Sequence, residues 1–108
     1  FTYIDDAVEG LRLVLEAPHL EHRAYNVATG RALTLHQVAA ELKRVLPEWE
    51  YEIGPGLLDQ WPGYTAPQKG ALDIRRISSE LGYHPRYDLA AGLSLYAESL
   101  CKARGGKP

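Results

Sequence analysis

The chain has 108 residues, the length of one ordinary domain, and its 45% apolar and 24% charged content excludes wholesale disorder and collagen-like repeats. Twelve Lys and Arg against 14 Asp and Glu leave a net charge of −2, so nothing in the balance points to a nucleic-acid or anionic-membrane partner. One cysteine, Cys101, excludes an internal disulfide and suits a reducing, cytoplasmic compartment. No apolar run approaches the roughly 20 residues a membrane span needs. Methionine is absent, and the chain is therefore expected to be a piece of a longer protein.

Phe1-Thr2-Tyr3-Ile4 is aromatic and β-branched and reads as a strand. Asp5 or Asp6 then caps a helix in which Val8, Leu11, Val14 and Leu15 recur at helical spacing to about Ala17, where Pro18 stops it. Ala24-Tyr25-Asn26-Val27-Ala28 is strand-like and ends at Thr29-Gly30. Thr34 and Gln37 form a capping box for a helix whose apolar face holds Leu35, Val38, Ala39, Leu42, Val45 and Leu46, with Pro47 as its end. Trp49-Glu50-Tyr51-Glu52-Ile53 alternates with period two, as a half-buried strand does, and Gly54-Pro55-Gly56 closes it. From Leu57 to Gly70 the periodicity vanishes, which predicts a long loop of the kind that often carries function. Asp73 caps a short helix bearing Ile74, Ile77 and Leu81, with Gly82 as a left-handed stop. Asp88 caps a last helix in which Leu89, Leu93, Tyr96, Ala97 and Leu100 share a face, and residues 104–108 form a flexible tail. The expected order is β-α-β-α-β-loop-α-α, a small mixed α/β domain.

The motifs of chemistry are mostly missing. Gly54-Pro55-Gly56 does not run from a strand into a helix, so it is a turn rather than a phosphate cradle. No tyrosine has a lysine four residues on, which removes a Tyr–Lys proton-abstracting pair. His19 and His22 flank a helix end with Glu21 between them and too few convergent ligands for a metal, so they read as solvated loop residues. Cys101 beside Lys102 lacks a histidine partner and reads as a plain thiol. The Leu33–Leu42 stretch resembles the first helix of a helix-turn-helix. It runs on to Pro47, however, and an acidic segment with Glu48, Glu50 and Glu52 follows, which phosphates would avoid.

Four blocks in order carry a family resemblance. Phe1-Thr-Tyr-Ile-Asp-Asp-Ala-Val-Glu-Gly-Leu11 resembles the segment that opens the C-terminal part of NAD-dependent epimerase/dehydratases, the extended short-chain dehydrogenase/reductases that act on nucleotide sugars. Tyr25-Asn-Val-Ala-Thr-Gly30 is similar to their late strand and turn, and Thr34–Leu42 to the helix after it. The block from Leu72-Asp-Ile-Arg-Arg to Gly82-Tyr-His-Pro and on to Leu93 is similar to their terminal helix-loop-helix. The resemblance implies that residues 1–103 are the substrate-binding portion of a Rossmann-type enzyme whose NAD-binding domain, with its Gly-rich loop and catalytic Tyr–Lys pair, lies outside this chain. NAD or NADP would belong to the parent protein, and this piece would hold no cofactor, no metal and no catalytic residue. Lys69, four positions before Asp73, stands where similar members place a basic residue on the sugar-nucleotide diphosphate. Gly63 stands where many carry an arginine. Trp61 and Tyr64 in the same loop are the candidates to meet a base or sugar face. The resemblance also sets the Ala24–Ala28 strand against the missing domain's sheet, which would leave its edge unpaired here. Besides the enzyme reading, a stand-alone binding or dimerisation module therefore stands as an alternative.

Overall fold

The computed structural model describes residues 1–55, 59–65, 67 and 69–105; for Asp59, Gln60, Trp61 and Thr65 it describes the backbone alone. Four helices carry the structure: α1 (Ile4–Glu16), α2 (Leu35–Val45), α3 (Arg75–Leu81) and α4 (Leu89–Ala103). A two-stranded antiparallel hairpin, β1 (Asp59–Trp61) with β2 (Tyr64–Thr65), pairs Asp59 with Thr65 and Trp61 with Tyr64. Helix α1 packs on α3, and α2 on α4.

The α/β order predicted from the sequence is corrected. Residues 1–3, 24–28 and 49–53 are not strands, and the hairpin supplies the only strands among the described residues. Among the described residues there is no Rossmann-type β-α-β unit, so the expected architecture of the extended short-chain dehydrogenase/reductases is not supported. The reason is pairing. A strand becomes one only when a neighbour takes its N–H and C=O groups, and here side chains take several of those groups instead. The Arg76 Nη1 donates to the Ala24 carbonyl at 2.8 Å, the Tyr83 hydroxyl to the Ala28 carbonyl at 3.3 Å, and Lys43 Nζ to the Trp49 carbonyl at 2.8 Å. The predicted loop at 57–70 is likewise corrected where it is described, because it contains the hairpin, turned at Pro62-Gly63.

The helix ends follow their local chemistry. Thr34 accepts from the Gln37 N–H at 3.2 Å while Gln37 Oε1 accepts from the Thr34 N–H at 2.8 Å, a complete capping box. Asp88 Oδ1 accepts from the Ala91 N–H at 2.8 Å at the start of α4. At α3 the expected Asp73 cap is corrected: Ile74 is the cap residue, without a side-chain bond, while Asp73 before it accepts from the Arg75 N–H at 2.9 Å, and hydrogen bonds from Arg75 pull its carboxyl down to about 2. Gly82 closes α3 at a φ of 71°, a left-handed conformation that costs a residue with a Cβ. Arg104 closes α4 with its N–H on the Leu100 carbonyl; residues 106–108 of the predicted tail lie outside the described residues.

Capping of α1 by Asp5 or Asp6 is corrected. Tyr3 is the cap residue, without a side-chain bond, and Asp6 is fully buried. The helix turns Asp6 and Gly10 inward, while Val8, Leu11 and Leu15, expected in the core, face solvent. The inward choice comes from Gly10, whose missing side chain lets Val27 approach: a Cβ there would lie 2.5 Å from Val27 Cγ1. The buried apolar core is correspondingly small, with Val38 and Ala39 from α2, Ile77 from α3, and Tyr83. Tyr3 lies against Gly92 of α4, and its ring meets Tyr87 at 4.8 Å between centroids. None of these helices is long and apolar enough to cross a membrane.

Candidate functional site

The hairpin positions two of the three residues singled out for substrate. Trp61 ends β1 and Tyr64 opens β2, and the pair sit opposite each other in the register across Pro62-Gly63. The Trp61 side chain lies outside the described residues, and Tyr64 is half-buried. Lys69 is exposed in the segment leading to α3, with Asp73 after it engaged by Arg75. Gly63, at a φ of 83°, makes the hairpin's turn.

Three polar junctions hold the surrounding scaffold. The buried Asp6 carboxylate accepts the Arg86 N–H on both oxygens, at 3.0 and 3.1 Å, and the Tyr87 N–H on Oδ2 at 3.0 Å. These are charge-assisted bonds to backbone donors that a neutral side chain would serve less well. Asn26 Nδ2 donates to the Asp73 carbonyl at 3.1 Å. Tyr83, buried beneath Ala28, has its hydroxyl pushed toward the neutral form by burial and by the nearby Asp6 charge.

A second cluster was not legible from sequence as a unit. His22 Nδ1 lies 2.7 Å from Glu80 Oε1, and the Tyr25 hydroxyl accepts from the His22 N–H at 3.2 Å while donating to Glu80 Oε2 at 2.7 Å. Burial, and then the bond to Glu80, raise the Tyr25 pKa. Glu21 brings a third donor group, and one ligand atom from each of Glu21, His22 and Glu80 lies within 4.8 Å of the others. A zinc ion draws its donors to about 2.0–2.2 Å from itself, a tighter convergence than that limit requires. With both Glu80 oxygens engaged, the cluster acts as a tie between the 21–25 segment and α3. His22 is thus an exposed loop residue, as expected, that also bonds to Glu80 of α3, a contact no local pattern in the sequence signals.

On another face, Arg31 and Arg86 border an open cleft of about 450 Å³ with Thr29, Tyr87 and Asp88. Cys101 is a free thiol of intermediate exposure, with no other cysteine in the chain. Compared with protein-family models, with curated proteins and with solved structures, the chain matches none.

Proposed function

We propose that this chain is the substrate-binding portion of an NAD-dependent nucleotide-sugar epimerase or dehydratase, acting within a longer cytoplasmic enzyme. One observation supports the reading above the rest. The blocks that carry the resemblance are the ones that touch: Asp6 of the first holds Arg86 and Tyr87 of the last, and Asn26 and Ala28 of the second bond to Asp73 and Tyr83. Residues chosen for likeness alone would have no reason to meet at polar junctions so far apart in sequence. In this reading Lys69 offers a point charge to the diphosphate, and Trp61 and Tyr64 offer flat apolar faces to the base or sugar. Hydride transfer to NAD or NADP and proton abstraction belong to the rest of the enzyme, so the 108-residue chain is inert alone.

The test is nuclear magnetic resonance of the isotope-labelled chain titrated with a uridine-diphosphate sugar, with NAD as a second titrant. Shifts are expected at Tyr64 and Lys69 with the sugar nucleotide only, and Lys69→Glu should weaken binding about 10-fold or more, a loss of roughly 1.4 kcal/mol. Unmoved amides at millimolar ligand, shifts confined to Arg31 and Arg86, or NAD reduction by the isolated chain would each sink it. A second reading, an interaction module, is favoured by the large apolar surface that this chain leaves uncovered.

A further inference from the structure

Four arginines are tied down within the chain: Arg12, Arg44 and Arg75 by nearby carboxylates, and Arg76 by the Ala24 carbonyl. Arg31 and Arg86 are not. Neither guanidinium has an ion pair or hydrogen bond among the described residues, and both open onto the same cleft of about 450 Å³. The fold fixes both positions from behind. The Arg86 N–H is held by the buried Asp6, and its guanidinium lies 5.8 Å from the centre of the Tyr87 ring. Arg31 follows Gly30, whose φ of 72° brings the turn against Ile74, and its N–H donates to Thr29 Oγ1 at 3.4 Å. Backbones set in advance lower the cost of gathering two guanidiniums on one ligand.

Two carboxylates lie near, and each is already occupied. Asp88, at the cleft, caps α4 through Oδ1. Glu9, whose charge is felt with that of Arg86, is bound by Arg12 through both oxygens at 2.8 Å. The cleft lining therefore carries two positive charges against one negative. A guanidinium presents a planar fork of donors that fits two oxygens of a phosphate, so a pair of them selects that group. A second open cleft, of about 360 Å³, shares Thr29, Arg31 and Asp88 with the first and continues over Leu33, Ala40 and Leu89. Its own carboxylate, Glu41, is bound by Arg44 at 2.9 Å. The groove thus has a cationic end and an apolar run.

We propose that Arg31 and Arg86 form a binding site for a phosphate monoester, whose apolar body lies along Leu33, Ala40 and Leu89. Magnetic resonance of the isotope-labelled 108-residue chain, titrated with phenyl phosphate, tests this. The Nε–H signals of Arg31 and Arg86 should move together. Arg31→Gln and Arg86→Gln should each weaken binding about 10-fold. Asp88→Asn keeps an equally good helix cap while removing the carboxylate from the cleft, so binding should tighten. Inorganic phosphate, which lacks the apolar body, should bind more weakly. Lys69→Glu, which probes the sugar-nucleotide reading, should leave the affinity for phenyl phosphate unmoved, so either reading can fail without the other. No shift at about 10 mM phenyl phosphate, unchanged affinity in both glutamine variants, or weakening by Asp88→Asn with α4 still helical by circular dichroism would overturn the proposal. So would inorganic phosphate bound as tightly as the ester, the mark of an adventitious ion only.

Discussion

Asp6 is a fully buried carboxylate whose stability rests on two backbone N–H groups of the α3–α4 connection. Truncating it strands both donors away from water, and each stranded donor costs about 1–3 kcal/mol. Asp6→Ala should therefore lower unfolding free energy by about 2–4 kcal/mol in urea titration. Asp5→Ala next to it, at an exposed position, should stay within about 0.5 kcal/mol. Equal losses at the two positions would show that helix-start charge, not the buried junction, carries the effect. The sequence presents the two aspartates as equivalent caps. Which one turns inward depends on amides 80 and 81 residues away, and no local rule contains that distance.

At the scale of elements, the legible features were those that close locally. The Thr34–Gln37 box, the Asp88 cap, the Gly82 stop and the prolines at 18 and 47 each need only a few neighbouring residues, and the four helices sit where those signals put them. Strands are not local objects. The Ala24–Ala28 and Trp49–Ile53 segments have strand-forming composition, but composition names no partner, and side chains of Arg76, Tyr83 and Lys43 bind carbonyls there instead. The candidate site divides in the same way. Trp61 and Tyr64 were visible as loop aromatics, but their cross-strand pairing was not, and the His22–Tyr25–Glu80 tie joins positions too far apart to be read as one unit. The contact of α1 with the 24–28 segment gives its own test. Gly10→Ala places a methyl against the Val27 side chain, and overpacking of this kind costs about 1–3 kcal/mol. Val27→Ala in the same chain should recover part of that loss, measured by a double-mutant cycle in urea; independent effects at the two sites would separate α1 from this segment.

At the scale of the molecule, the chain is broad and thin. Its radius of gyration is 17.2 Å and its extents are 48 × 46 × 20 Å, whereas a compact chain of this length has a radius near 13 Å, or roughly 2.2·N^0.38. Spread this widely, the helices meet only in the pairs α1–α3 and α2–α4, which accounts for so few fully buried residues among those described. X-ray scattering of the 108-residue chain should give a radius near 17 Å. A value close to the compact figure would mean that the helices collapse onto one another when alone in solution.

The Asp6 junction also sets a timetable. Its donors follow it by 80 residues and more, so at a synthesis rate of roughly 5–20 residues per second the ribosome takes about 4–16 s to deliver them. Throughout that interval α1 has emerged with its inward carboxylate unsatisfied. The inward side of α1 is closed only when the α3–α4 connection leaves the exit tunnel, so its docking is among the last events of synthesis.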